Sequence, residues 1–155
     1  MQKKHILVEH NKEDCYFKWY ITPDNLLRGY GCPNCSSSKG EKKIRKFLLK
    51  NNINFKPQFW FSDLKGYKGW VLKFDFAVFD NDDNLKSLIE FDGKGHFSPI
   101  SQYGGIESFN KTQAYDNLKN QYCINNKIPL IRIPFWDFRK ISIILEEHLR
   151  EVVNM

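Results

Sequence analysis

Carboxylate side chains recur in this chain at positions that solubility alone does not explain. In VLKFDFAVF the alternation places Leu72, Phe74, Phe76 and Val78 on one side of a strand. Asp75 falls on the other side, with Val71, Lys73, Ala77 and Phe79. In KSLIEFDG, Leu88, Glu90 and Asp92 share a face, and Ile89 and Phe91 share the opposite one. Residues two apart on a strand lie about 6–7 Å apart, so Glu90 and Asp92 can serve one site. The DNDDN between the two strands has the residue types of a hairpin turn, which would bring Asp75 to them. Glu41 opens the helical pattern GEKKIRKFLLKNN, three residues before Ile44 and seven before Leu48. That spacing puts it on the core-facing side, at the end where the helix dipole favours an anion. Carboxylates that converge repel one another, and a Mg²⁺ or Mn²⁺ ion is the natural compensation. Each acid also has an ordinary reading: Glu41 as a dipole partner, Asp75 as an ion-pair partner of Lys73, Glu90-x-Asp92 as the lead into a turn. Structural ion pairs of this kind are common, but the same arrangement in three segments favours a shared site.

The segment after Glu90 adds to it. IEFDGKGHF runs into a glycine-flanked turn carrying His96, the side chain best suited to exchange a proton near neutral pH. The two glycines let the backbone come close to a phosphate.

A second constellation lies upstream. Cys32-Pro-Asn-Cys35 has the spacing of half a tetrahedral zinc site. Cys15 is the third ligand expected and His10 the fourth, with His5 competing for that place. A degenerate ribbon without zinc is the alternative. A redox pair is disfavoured, because the knuckle lacks the core strand and following helix of a thioredoxin-type site. Such a ribbon would carry Lys12, Lys18 and Arg28 beside Tyr16, Trp19 and Tyr30, a mixture that suits phosphates and bases and equally suits packing against a core. The loop SPISQYGG, Lys94 and Lys111 are further DNA-contact candidates by position. Cys123 stands alone within a predicted helix.

The elements that must position these residues read as two parts. Residues 1–37 form a small module of two short strands, HILVEH and CYFKWYI, followed by TPDNLLRGYG and the knuckle. Residues 38–155 form the core: the helix after the polar Ser36–Ser38 connector, a short edge strand at QFWF, the hairpin, a helix over IESFNKTQAYDNLKNQYCINNK, a buried strand at IPLIRIP, and an amphipathic helix RKISIILEEHLREVV. The order implies an α/β fold with a mixed sheet. With 155 residues and 41% apolar composition, one core and one small appendage are affordable. The net charge of +6 is localised. Residues 1–50 hold eleven Lys/Arg against five Asp/Glu, an excess of six, while residues 51–100 hold six against seven. A cationic flank beside an acidic centre suits an enzyme that binds a polyanion and gathers a metal ion, though an ordinary basic surface would look the same. No apolar run approaches a membrane span, and the first residues are too weakly apolar for a secretory signal. The expectation is an intracellular protein, cytoplasmic or nucleoid-associated, with no membrane partner.

Gly40-Glu41 opening a helix, Phe74-Asp75-Phe76 on a strand, and Ile89-Glu90-Phe91-Asp92-Gly93-x-x-His96 together resemble the PD-(D/E)xK nuclease superfamily. The resemblance points to the branch near very-short-patch repair endonucleases and phage homing endonucleases with an E-D-x-H-D pattern. It spans about residues 38–135, taking in Asp116 and Lys119 on the later helix and the IPLIRI strand, with Trp136 just beyond. It implies a restriction-endonuclease-like mixed sheet flanked by helices, preceded by a zinc-ribbon-like module with structural Zn²⁺. It implies metal ligation by Asp75 and Glu90 with Glu41 in support, His96 as general base or phosphate holder, and Asp116 orienting His96 or binding a second ion. Asp92 stands where the superfamily's Glu-x-Lys has its lysine, so Lys94 or His96 would take that role. The implied activity is that of a Mg-dependent endodeoxyribonuclease that hydrolyses phosphodiester bonds, of the phage or mobile-element homing type. A nickase acting on mismatched or branched DNA, and a catalytically silent nucleic-acid-binding protein, are the alternatives. A single site cuts one strand at a time, so double-strand cleavage would suggest a homodimer.

Overall fold

The computed structural model describes residues 4–12 and 15–153. The chain divides into two compact units, residues 1–42 and 43–155, a division that falls inside a helix rather than at the connector before it.

In the first unit, β1 (Ile6–Lys12) and β2 (Cys15–Ile21) pair antiparallel, from Ile6 opposite Ile21 to Lys12 opposite Cys15. The TPDNLLRGYG segment is not merely a connector. Thr22 caps a short helix, α1 (Pro23–Leu27), its side-chain oxygen accepting from the Asn25 amide at 3.3 Å, with Pro23 preset for the first turn. One further turn, α2 (Pro33–Ser36), starts immediately after Cys32 and closes the knuckle. Helix α3 (Lys39–Lys50) begins at a capping box. The Glu41 amide donates to Ser38 Oγ at 3.2 Å, and the Ser38 amide donates to Glu41 Oε1 at 3.1 Å.

The second unit is built on a four-stranded mixed sheet in the order β3-β4-β5-β6. Strands β3 (Asn54–Lys65), β4 (Val71–Phe79) and β5 (Leu85–Asp92) form an antiparallel meander, and β6 (Leu130–Pro134) joins parallel to β5. The edge strand expected only at QFWF is twelve residues long. Its alternation of half-buried and exposed residues suits an edge with one wet face. The DNDDN turn is locked by Asp80, which accepts from the Asp82 and Asn84 amides. Helix α4 (Gly105–Asn125) contributes Cys123, Tyr115, Leu118 and Tyr122 to a cluster with Leu72, Phe74 and Leu88. A second cluster joins Ile44, Phe47 and Leu48 of α3 to Phe76, Val78, Ile89, Ile133 and helix α5 (Ile141–His148). The C-terminal segment is not one continuous helix: a 3₁₀ stretch over Phe135–Lys140 precedes α5, and Leu149 separates it from α6 (Arg150–Val153).

These clusters correct the expectation for β4. Leu72 and Phe74 belong to the α4 cluster and Phe76 and Val78 to the other, so the four do not share a side. The phase changes at Asp75. Across the ladder, Gln58 has a φ of 51°, and Phe55 packs into one cluster while Phe59 and Phe61 pack into the other. The register is the same on both sides of this point, with Pro57 opposite Phe76 and Phe59 opposite Phe74. Both strands therefore reverse faces together, and the backbone at Gln58 takes the left-handed conformation needed. On β5 the expected faces hold: Leu88 packs with α4, and Ile89 and Phe91 pack on the opposite layer.

Candidate active site

The paired register of β4 with β5 ends at Phe76 opposite Ile89. Asp75 is the next residue on β4 and faces the position of Glu90. There its carboxylate replaces a backbone acceptor, taking the Phe91 amide at 2.8 Å. Beyond this point β5 continues alongside β6, with Glu90 opposite Arg132 and Asp92 opposite Pro134. The end of the β4–β5 ladder thus brings Asp75 to the backbone of the Glu90–Phe91 step.

Glu90 is only 4% exposed and lies on the α4 side of the sheet. Lys119 of α4 reaches it, donating from Nζ to Oε1. The stem of Lys119 crosses the Phe74 ring, whose centroid is 5.3 Å from Nζ. Burial pushes the Glu90 carboxyl above its ordinary range, and the attraction of Lys119 and Arg132 only partly offsets that. The second oxygen, Oε2, takes no hydrogen bond from any described residue. Glu90 is therefore a buried carboxylate with too little positive charge around it.

Asp92, equally buried at 4%, is held quite differently. Arg132 grips it with both arms, Nε to Oδ2 at 2.7 Å and Nη2 to Oδ1 at 2.6 Å. The same guanidinium reaches Asp116 Oδ1 at 2.8 Å and Asn120 Oδ1 at 3.0 Å, tying β5, β6 and α4 together. Asp116 then passes the restraint on: its Oδ2 lies 2.7 Å from His96 Nδ1. Asp92 Oδ1 is 3.5 Å from the same nitrogen. A ring nitrogen this close to a carboxylate carries the proton, which leaves Nε2 with its lone pair free to accept one. The Asp116 hydrogen bond raises the affinity of His96 for a second proton, against the effect of burial. The Asp116 carboxyl is held below its ordinary range: burial would raise it, but the His96 and Arg132 contacts prevail. Counting charges explains the direction. Three carboxylates, Glu90, Asp92 and Asp116, meet two fixed cations, Lys119 and Arg132, so the cluster gains by holding a further positive charge.

The turn that carries His96 is a 3₁₀ helix, Lys94–His96, and the Gln113 side chain donates to the His96 carbonyl. A Cβ built on Gly93 would meet nothing within 4 Å, and one on Gly95 only Ile100 at 3.8 Å. Packing does not require either glycine, and the space before them is open. Beside them is a pocket of about 170 Å³ lined by His96, Ser98, Tyr103, Ser108, Phe109 and Thr112. Phe97, Phe135 and Trp136 form an exposed ring cluster next to it, with the Phe97 and Trp136 centroids 4.4 Å apart.

The structure thus gathers Glu90, Asp92, His96 and Asp116 and brings Asp75 to the same strand end. Glu41 belongs to the first unit, where its described contacts are those of the capping box. Lys94 is exposed and Lys111 lies over the Tyr115 ring at 5.5 Å. Lys18 pairs with Glu9 at 3.4 Å and Arg28 with Asp24 at 3.2 Å, while the side chain of Lys12 lies outside the described residues. Sequence pattern does not single out Arg132, yet it organises the site. Its one visible signal is a lone charge inside the apolar run IPLIRIP. Asn120 and Gln113 gave no such signal.

In the first unit, His10 Nδ1 lies 3.3 Å from Cys35 Sγ, and ligand atoms of His10, Cys32 and Cys35 all fall within 4.8 Å of one another. The Cys15 side chain lies outside the described residues. His5 is not part of this group.

Comparison of the chain with protein-family models, curated proteins and solved structures finds no match, so the chemistry of the site is the ground on which a function can be argued.

Proposed function

We propose that this protein is a metal-dependent DNA endonuclease whose centre is Asp75 and Glu90, served by Lys119 and by the His96–Asp116 pair. The observation that carries the reading is the buried Glu90 carboxylate beside Asp75, bonded by one lysine on one oxygen, with the His96–Asp116 pair just past the same strand end. The oxygen donors fit a hard divalent cation. Glu90 Oε2 takes no hydrogen bond among the described residues, and burial pushes its carboxyl above its ordinary range. Bound there, Mg²⁺ or Mn²⁺ supplies Lewis-acid polarisation of a phosphodiester and makes a water more acidic.

The chain's own residues do the rest. Asp116 holds His96 so that Nε2 accepts the proton of an attacking water. Lys119 stands beside Glu90 as the cation that the superfamily's Glu-x-Lys would provide, since Asp92 in that place is committed to Arg132. Gly93 and Gly95 leave the backbone open to a phosphate. Arg132, gripped by Asp92, positions Asp116. The mixed sheet with helices on both faces is compatible with a restriction-endonuclease-like core. For the first unit we propose structural zinc on Cys32, Cys35, His10 and Cys15, in a ribbon-like module. About one equivalent of zinc in purified protein, lost in Cys35→Ser, is the expected result; less than about half an equivalent removes that assignment.

The test of the main reading is cleavage of supercoiled plasmid and of branched DNA with Mg²⁺, Mn²⁺ or EDTA. Asp75→Asn, which keeps an acceptor for the Phe91 amide, is run beside wild type. Metal-dependent cutting that vanishes in the variant supports the reading, and nicked versus linear product separates a nickase from a homing-type double-strand cutter. Equal cutting by variant and wild type overturns it. Binding without cutting on every substrate makes the protein a silent nucleic-acid binder.

A further inference from the structure

The hairpin between β3 and β4 carries no part of the site described above, yet its tip is unusual. Tyr67 and Trp70 are 76% and 77% exposed, and Trp60 on the outer strand is 50% exposed. Trp70 has no ring, hydrogen-bond or ion partner for its side chain among the described residues. Lys65, Lys68 and Lys73 are all exposed and form no ion pair among the described residues, and residues 65–73 contain no acid. The flanking carboxylates are both engaged, Asp63 by the Tyr122 hydroxyl at 2.9 Å and Asp75 by the Phe91 amide at 2.8 Å. Large rings left in water are unfavourable, and unpartnered lysines around them repel one another. A ligand offering both flat apolar faces and negative charge would relieve both.

The tip is also held in place. The Gly66 amide donates to the Trp70 carbonyl at 2.9 Å, and the Gly69 amide to the Gly66 carbonyl at 2.9 Å, with Gly69 at a φ of +76°. A Cβ at Gly66 would sit 2.8 Å from the Tyr115 ring, so only glycine allows this approach. Tyr67 lies against Tyr115 with centroids 6.0 Å apart. Tyr115 is the residue before Asp116 on α4. Gly66 and Tyr67 thus anchor the hairpin tip to the helix that carries Asp116 and Lys119.

We propose that the β3–β4 hairpin binds unpaired nucleotides of a DNA substrate, with Tyr67 and Trp70 stacking on bases and Lys65 and Lys68 meeting the flanking phosphates. Bases inside a duplex already stack on one another, whereas single-stranded or branch-point bases have free faces. The inference deepens the nuclease reading by naming its substrate class, DNA with a single-stranded or displaced segment. It rests on that reading only for the identity of the polyanion.

The test is binding of fluorescent oligothymidylate and of a blunt duplex by the full chain, in EDTA so that nothing is cut, over a range of salt. Tyr67→Ser/Trp70→Ser is expected to weaken oligothymidylate binding about tenfold or more and duplex binding far less. Lys65→Gln/Lys68→Gln is expected to flatten the salt dependence by about one to two phosphate contacts. All four side chains are exposed, so unfolding midpoints should match wild type. Unchanged oligothymidylate affinity in both variants overturns the proposal. So does a wild-type protein that binds phosphatidylserine vesicles but no oligonucleotide. Cleavage by wild type and Asp75→Asn is scored separately. A protein that binds through the hairpin but never cuts loses the nuclease reading alone, and one that cuts with hairpin variants unimpaired in binding loses this inference alone.

Discussion

Glu90 and Asp92 sit two residues apart on one strand, on one face, with the same 4% exposure, and yet they are held in opposite ways. Asp92 has a guanidinium fork across both oxygens. Glu90 has one lysine on one oxygen, and burial drives its carboxyl upward. A buried acid that is fully gripped is scaffold, because its charge is spent on its neighbours. A buried acid only half gripped keeps a capacity to bind, and the fold tolerates it because the gripped one beside it supplies rigidity.

The largest expected effect would break the gripped half. Arg132→Met leaves Asp92 buried without its partner and is expected to lower stability by about 3–5 kcal/mol, read as a shift in urea or thermal midpoint. A change under about 1 kcal/mol would mean that the guanidinium is not the lock described. The next experiment sharpens the other half. Glu90→Gln is expected to reduce cleavage about 100- to 1000-fold while leaving the unfolding midpoint at neutral pH near that of wild type. The pH profile gives the sign. Glu90's folded pKa lies above its ordinary 4.5, so its contribution is fully present below 4.5 and is lost as pH rises through the folded value. The glutamine variant should lack that loss, and an identical profile would contradict the burial argument.

The smallest effect concerns His96. Its folded pKa is raised above 6.5, so its contribution to stability is present below 6.5 and fades as pH rises through the folded value. His96→Gln should flatten the stability profile above pH 6.5. Cleavage, which needs Nε2 unprotonated, should rise with pH over the same range in wild type. A cleavage rate independent of pH there would remove His96 as the base.

Much of this arrangement is legible in the sequence, for physical reasons that differ by residue. The faces of β5 follow from strict alternation, and the start of α3 from Ser38 and Glu41 at capping-box spacing. The knuckle follows from C-x-x-C. The face reversal at Asp75 is not legible, because its cause lies in the backbone of Gln58, and glutamine does not advertise a positive φ. The pairing of Asp92 with Arg132 is hidden by forty residues of chain and by a parallel register that alternation cannot supply. Lys119 was visible on its helix, but only the packing of α4 against β5 shows that it meets Glu90 rather than solvent. The full length of β3 is not legible, because a half-wet edge strand has no sharp apolar signature beyond QFWF.

The reversal at Gln58 and Asp75 has a consequence for how the second unit comes apart. Because β4 sends Phe74 into one layer and Phe76 into the other, neither layer can loosen without disturbing the same strand. The two layers should melt as one cooperative unit, with the β4 amides exchanging with solvent only through global opening.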